Sequence, residues 1–480
     1  MNALTRKIQL PFSPTATILR AMRFVPRSWL LTSVLSLSWL ACDGHTPASP
    51  AKEPSPPAPS AAVAPPQDPS LAASQVAPAA DSDPATPAKR EPMNVILLVI
   101  DAMRWDMPWN GYSRPIAPNL TRLAEKSVRF ERGYAISSYT SKCVAGLLSG
   151  RFPSELPRTS PFFTKYDDSN EMMAEVLKQR GVRTLSAHAH MYLDKPSGLT
   201  QGFDVWRLVS GIQFDYNKDP YVTSPQYTDL VKSILEAPEN TSGRFFGYFH
   251  YMDPHHEYNT HKEAPKWGTS ARDLYDEEIW FTDKYVGNLI SFIESQPWGK
   301  NTAIIVTGDH GEGFGERVGG VDNYRIWKHA FELYEVLVKV PLFVYVPGAE
   351  PRDVARWRGH IDLVPTIYDL LGEKPPEGLH GVSLVSEILG EDTPPRPIVI
   401  DLPADTHNRR RRALIEDGYK LIAFGKDFRF NLFNVKDDPA ESKELSQVER
   451  DRKKAMVERY RGIVAGIRDV KAVGAPVLDD

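Results

Sequence analysis

Cysteine is the scarcest resource of this chain: two residues in 480, Cys42 and Cys143. Two thiols cannot build a disulfide framework. An excess of charge of one sign is also missing, with 57 basic against 61 acidic side chains, so nothing in the composition calls for nucleic acid as a partner. Residues 43–92 hold almost no large apolar side chains and are dominated by Pro, Ala and Ser. Such a segment cannot bury enough surface to offset its ordering entropy. A membrane-spanning run is absent too. The N-terminal apolar run Trp29–Ala41 has 13 residues, where a spanning helix needs about 20. The remaining length suffices for a large core, as one big domain or two.

The short apolar run suits the core of an export signal. It ends in Leu40-Ala41-Cys42 and is preceded by Arg20, Arg23 and Arg27. It resembles a bacterial lipoprotein signal, in which the cysteine is lipidated and becomes the first mature residue. Trp39 stands where such signals usually carry Leu, and an ordinary secretory signal cleaved near Ala41 is the alternative. Met22 is the expected true start, because Met22–Ala41 alone has a compact basic head and the right length. Residues 43–92 then read as a disordered tether with a reach on the order of 40 Å, enough to hold a folded domain clear of a membrane surface. The expected organisation is a signal peptide over 1–42, the tether over 43–92, a catalytic domain over 93–395 and a C-terminal subdomain over 396–480. The expected location is extracytoplasmic, facing periplasm or cell surface, with membrane attachment through a lipid on Cys42.

Asn94-Val95-Ile96-Leu97-Leu98-Val99-Ile100 is a continuous apolar, β-branched run, the pattern of a strand buried on both faces in a parallel sheet. Similar runs recur at Phe245–Tyr251, Thr302–Thr307 and Pro341–Val346. Helical patterns at Ala117–Ser127, Glu171–Arg180, Thr228–Glu236 and Leu274–Gln296 lie between them. The alternation predicts an α/β fold, a mostly parallel sheet flanked by helices. Beyond about residue 395 short strands are expected at Pro397–Asp401, Arg411–Glu416, Tyr419–Phe424 and Phe428–Phe433, then a charged helix over Val448–Val470. Together they predict a small C-terminal α+β subdomain.

Asp101 follows the first strand, and Asp309-His310-Gly311 follows Thr302–Thr307 in the same way. Ligands in α/β sheets sit at the carboxyl ends of strands, so two acids and a histidine there are candidate ligands for a divalent cation. An N-cap or loop acid is the plainer reading of Asp101. Imidazole favours Mn²⁺ or Zn²⁺, with Ca²⁺ as the further option. Thr140 precedes the apolar helical run Val144–Leu148. Its hydroxyl sits at a helix N-terminus, where an anion is favoured, but an ordinary N-cap threonine fits the same position. As a nucleophile it would need a metal to lower its pKa.

Asn94–Asp106, Ala117–Phe130, Thr140–Pro153, Gly202-Phe203-Asp204, His250–Tyr258, Thr307–Gly315, Leu333–Pro341 and His360–Gly372 resemble, in order, the blocks of the sulfatase family of the alkaline phosphatase superfamily. The resemblance covers residues 93 to about 446 and implies an alkaline-phosphatase-like fold. It implies one metal held by Asp101, Thr140, Asp309 and His310, with Thr140 also the nucleophile. It points to His255 and His329 as catalytic histidines and to Lys328 and Lys142 as contacts to the substrate anion. His256 is an alternative to His255. Asp253 and His256 are conceivable members of a second metal site. His188 and His190 fall where relatives shape the pocket. His360 reads as structural, and Arg409–Arg412 as a solvated loop or strand start.

Three departures narrow the chemistry. A sulfatase carries Cys or Ser followed by x-Pro-x-Arg, for conversion to formylglycine; this chain has Thr140-Ser141-Lys142-Cys143-Val144. Cys143 is out of register. Ala102 replaces the second of two paired acids, and Val144 stands where an arginine would steady the nucleophile and sulfate, with Lys142 near by. Threonine nucleophiles occur in phosphodiesterases and envelope phosphotransferases of the superfamily. The expectation is therefore a hydrolase of phosphate mono- or diesters on a small molecule, glycan or lipid headgroup. Sulfatase activity, phosphoryl transfer and an inactive binding module are the alternatives.

Overall fold

The computed structural model describes residues 91–212, 222–255, 257–319 and 324–478. The signal, tether and lipid-anchor expectations, and His256, lie outside the described residues. The strands are β1 (Asn94–Ile100), β2 (Val128–Tyr134), β3 (Arg183–His188), β4 (Val205–Leu208), β5 (Phe245–Tyr251), β6 (Thr302–Gly308), β7 (Gly313–Arg317), β8 (Arg325–Lys328), β9 (Lys339–Val340), β10 (Leu342–Tyr345) and β11 (Arg352–Gly359). Nine of them form one mixed sheet in the order β11-β2-β10-β6-β1-β5-β3-β4, with β9 alongside β2. β7 and β8 form a separate hairpin.

Every residue of β1, β5 and β6 is buried, which is why their sequences read as unbroken apolar runs. They are neighbours and run parallel, with Ile100 opposite both Tyr251 and Gly308. Their carboxyl ends therefore align, and residues just beyond them meet in space. Helices Ser224–Glu236 and Ala271–Ser295 pack on one another, and Ala271–Ser295 packs also on Pro118–Ala124.

The run at Pro341–Val346 departs from the parallel expectation. β10 pairs antiparallel with both β6 and β2. Parallel neighbours need a crossover, usually a helix. The chain between β6 and β10 instead returns through the β7–β8 hairpin and a four-residue helix at Glu335–Val338.

The C-terminal part is a four-stranded antiparallel sheet in sequential order, β12 (Ile398–Leu402), β13 (Arg411–Glu416), β14 (Tyr419–Phe424) and β15 (Arg429–Asn434). Helix Arg450–Val464 buries Met456 and Tyr460 against a cluster that includes Phe430 and Leu432. The arginine run does begin β13, but Arg412 is not solvated. Its Nε donates to Asp401 Oδ1 at 2.8 Å and a terminal nitrogen donates to Ser154 Oγ at 2.8 Å, with Arg412 only 2% exposed. Strand alternation turns it inward, where Asp401 on the facing strand waits. Removing one partner of such a pair strands a buried charge at a cost of about 3–5 kcal/mol. Arg412→Met is expected to lose stability of that order in urea unfolding, and Asp401→Asn/Arg412→Met together to lose less.

Candidate active site and metal centre

Asp101, one residue past β1, and Asp309, one past β6, are fully buried. Gly308 lets the two ends approach, since a Cβ there would lie 2.5 Å from the Met103 carbonyl oxygen. Ala102 adopts φ 53°, a left-handed conformation that costs a non-glycine residue roughly 1–2 kcal/mol. The turn is held by Tyr275, whose hydroxyl donates to the Ala102 carbonyl and accepts from the Arg104 amide, both at 2.9 Å. This aims the Ala102 amide at Asp309 Oδ1, 3.0 Å away, where the His310 amide also donates at 2.8 Å.

Thr140 opens helix Thr140–Ser149. The N-cap is Tyr139, in extended conformation, so the Thr140 hydroxyl does not cap the helix. It points instead into the acidic cluster, 3.0 Å from His310 Nε2 and 3.5 Å from Asp101 Oδ2. His310 Nδ1 lies 2.9 Å from the Gly311 carbonyl oxygen. A carbonyl only accepts, so Nδ1 carries the proton and Nε2 presents its lone pair to the cluster. Ligand atoms of Asp101, Asp309 and His310 all lie within 4.8 Å of one another.

Two buried atoms here, Asp309 Oδ2 and His250 Nε2, have no hydrogen-bond partner among the described residues. Burial pushes the Asp309 carboxyl upward, but the neighbouring imidazoles of His310 and His250 and the amide donors of Ala102 and His310 outweigh it and hold the group below the usual carboxylate value. Concentrated, incompletely satisfied negative charge with a lone-pair imidazole beside it fits a divalent cation held by Asp101, Thr140, Asp309 and His310.

A second cluster of histidines lies over the first. The His329 ring is 4.2 Å from that of His310 and 5.2 Å from that of His255, centre to centre. His329 Nδ1–H donates to Glu312 Oε2 at 3.2 Å, and Tyr258 Oη–H donates to the same oxygen at 2.9 Å. Burial works against a charge on His329, but the Glu312 carboxylate and its hydrogen bond outweigh burial, so the ring is held above the ordinary histidine value. Burial and the neighbouring His329 drive His255 the other way, to about 3. One histidine is thus shifted toward its charged form and the other held neutral, the separation expected of an acid and a hydrogen-bonding partner.

The chain matches one family over most of its described length. The Sulfatase family model covers residues 93–373, and the model for the C-terminal region of N-sulphoglucosamine sulphohydrolase covers residues 323–461. The chain belongs to the sulfatase family. It is a sulfatase-family hydrolase, and enzymes of this family bind a divalent metal. A choline-sulfatase of Rhizobium meliloti is 22% identical, covering 80% of this chain and 89% of the relative. An ulvan-active sulfatase of Formosa agariphila is 23% identical, covering 63% of this chain and 66% of the relative. Among solved structures, the phosphonate monoester hydrolase of Agrobacterium radiobacter superposes with TM-score 0.64 at 16% identity, over 78% of this chain and 96% of that one. The structure of Ps i-CgsB with a neocarrahexaose superposes with TM-score 0.66 at 20% identity, over 80% and 95%.

Measured against that family, several expected residues take other places. Lys142 is fully buried, and its Nζ donates to Thr164 Oγ1 at 2.7 Å and Asp405 Oδ2 at 3.0 Å. Two helical positions from Thr140 rotate it about 200° away, so it anchors a loop and does not face the anion. Lys328 is exposed, with φ 59°, at the base of the loop that carries His329. Asp253 accepts from the backbone amides of Thr223 and Ser224 and from the Thr223 hydroxyl at the start of helix Ser224–Glu236. Those bonds commit it to the helix and remove it from a second metal site. His188 stacks on Trp206. His190 Nδ1 accepts from the Tyr192 amide. His360 Nε2 lies 3.0 Å from Thr307 Oγ1, buried. Cys143 is buried, and burial together with the Asp309 charge pushes its thiol well up, the reverse of an activated nucleophile.

Sequence reasoning missed Glu312 and His250. Glu312 stands between Gly311 and Gly313, and an acid inside a glycine-rich turn is a usable signal; His250 gave none beyond its place in a buried strand. Glu312 is pulled down to about 2: burial opposes this, and the His329 charge and hydrogen bond overcome it. A depressed acid adds stability that is present above its unfolded value, about 4.3, and is lost as pH falls toward 2. Wild-type unfolding midpoints are expected to drop more steeply between pH 4.5 and 2 than those of Glu312→Gln, read by urea titration.

Proposed function

We propose that this protein is a metal-dependent phosphoesterase with Thr140 as nucleophile, acting on phosphate mono- or diesters. The observation that carries the reading is the Thr140 hydroxyl at a helix N-terminus, 3.0 Å from His310 Nε2 and beside Asp101. Threonine carries a methyl group on its β-carbon, so it cannot be oxidised to the aldehyde of formylglycine. An alkoxide attacking phosphorus is the chemistry left to it.

When bound, the cation supplies the positive charge that lowers the Thr140 pKa and offsets the anionic ester oxygens. Thr140 Oγ, its proton released to solvent, attacks phosphorus in line. The bond from phosphorus to the leaving oxygen breaks, and His329 protonates that oxygen, leaving phosphothreonine. Water then attacks the same phosphorus and gives its proton to the now neutral His329. Phosphate departs with the oxygen of water, and Thr140 regains a proton. The raised His329 and lowered His255 support this division of roles. A cleft of about 920 Å³ supports a leaving group of some size; Phe162, Phe163, Tyr192 and Phe331 are among its lining residues. Among the described residues, none of the acidic or histidine clusters lines it; it is linked to them by Tyr139, which precedes Thr140 and whose ring stacks on Phe162, and by Phe331, two residues after His329. Its aromatic walls suit a sugar ring, an aryl group or the glycerol end of a lipid headgroup.

The second reading, a sulfate-ester hydrolase, is supported by relatives whose names are those of glycan and choline sulfatases. Assays of nitrophenyl phosphate, a phosphodiester and nitrophenyl sulfate, with and without Mn²⁺ or Zn²⁺, discriminate the two. Phosphate esters are expected to turn over, and Thr140→Ala to lose at least about 10³-fold. A mutant as active as the wild type removes Thr140 as nucleophile. Turnover of sulfate alone favours the second reading. No metal and no turnover favours a binding module, and phosphate appearing on an added alcohol in place of water favours a transferase.

Export and a lipid anchor on Cys42, followed by the Pro-rich tether, belong to the same proposal. The apolar run ending in Leu40-Ala41-Cys42 supports it. The full chain is expected in the membrane fraction of an expressing bacterium, and Cys42→Ser in the soluble fraction.

A further inference from the structure

His250 is the next-to-last residue of β5, and its side chain is fully buried. Its Nε2 lies 3.5 Å from Asp101 Oδ2 and 4.0 Å from Asp309 Oδ2, with no hydrogen-bond partner among the described residues. A buried ring nitrogen left without a partner is uncommon and costly. The residue is held rigidly: its amide donates to Tyr227 Oη at 2.7 Å, and its Nδ1 lies 3.1 Å from Tyr248 Oη.

The distances describe a shell. Thr140 Oγ1 to His310 Nε2 is 3.0 Å, His310 Nε2 to Asp309 Oδ2 is 3.4 Å, and Thr140 Oγ1 to Asp101 Oδ2 is 3.5 Å. Ligand atoms sharing one cation through bonds of about 2.0–2.2 Å lie roughly 2.9–3.6 Å apart. His250 meets this toward Asp101 and misses it toward Asp309 by about half an ångström; its Nε2 lies outside the group of Asp101, Asp309 and His310 atoms that fall within 4.8 Å of one another, so the ring must move inward to join them. Position 102, where a second acid would stand, is Ala, whose amide is already spent on Asp309. The cluster therefore has one carboxylate fewer and one imidazole nearby.

We infer that His250 is a ligand of the metal, completing the set of Asp101, Thr140, Asp309 and His310 through Nε2. This rests on the metal reading of those four residues. Tyr248 makes it possible, because a phenol can donate or accept. Without metal, Tyr248 donates to Nδ1, and Nε2–H faces the two carboxylates and eases their repulsion. With metal, the Tyr248 hydroxyl turns, Nδ1–H donates to its oxygen, and the Nε2 lone pair is freed for the cation. Two imidazoles with two carboxylates favour Zn²⁺ or Mn²⁺ over the all-oxygen preference of Ca²⁺.

Affinity alone cannot test this, since removing an outer-shell histidine also weakens binding. The deciding measurement is the tautomer, read from imidazole nitrogen shifts of full-length protein labelled with ¹⁵N-histidine, metal-free and after Zn²⁺ titration. The expected result is a His250 proton on Nε2 without Zn²⁺ and on Nδ1 with it, assigned by its loss in His250→Gln. A His250 that keeps Nε2–H while His310 shifts overturns the inference and leaves the metal site standing. No Zn²⁺ binding by wild type overturns both. Calorimetry supplies the second test: His250→Gln is expected to bind Zn²⁺ roughly 100-fold more weakly, and unchanged Zn²⁺ affinity overturns the proposal. Should the variant fail to fold, the wild-type tautomer still decides, with His250 assigned through its proximity to Tyr248.

Discussion

Two carboxylates buried side by side, Asp101 and Asp309, set the terms for everything around them. Each ionised group taken out of water costs several kcal/mol before compensation. The compensation comes from amide donors at Ala102 and His310 and from the imidazoles of His250 and His310. These groups reach the carboxylates only because β1, β5 and β6 run parallel in one register, so that three strand ends open on the same side of the sheet. The strained Ala102 turn and the close approach at Gly308 follow from the same demand.

Over this acidic floor the histidines are sorted by their neighbours. Glu312 pulls His329 toward its charged form, while burial keeps His255 and His250 neutral. The His329 and His255 rings, 5.2 Å apart, are thus shifted in opposite directions through the placement of one glutamate. The fold is shared with a phosphonate monoester hydrolase and with a protein solved in complex with a neocarrahexaose, and the family with a choline-sulfatase. What a protein does lies in the site grafted on the fold, and here that site has Thr140 at a helix start beside the acids, Ala102 next to Asp101, and Lys142 turned by the helix into a buried ion pair.

The sheet was legible because burial on both faces leaves an unmistakable mark. β1 and β5 agree residue for residue with their apolar runs, as β13 and β14 do with theirs. Strand direction carries no such mark, and β10 turned out antiparallel for want of a crossover. Asp101, Thr140, Asp309 and His310 were legible from strand ends, a helix start and the family's block order. Lys142, Asp253 and Arg412 were misread for one common reason: a charged side chain looks solvated or functional until its partner, Asp405, the amides of a helix start or Asp401, is brought to it from far along the chain.

By itself the sequence determined the α/β alternation, the family and the residue types available for chemistry, because hydrophobic period and local motifs are properties of neighbours in the chain. Tertiary structure alone decided which acids share a charge problem, which histidine is shifted toward its charged form, and that His250 faces the cluster. Those outcomes depend on distances between residues 17 to 207 positions apart, set by strand register and burial, and no local pattern encodes them.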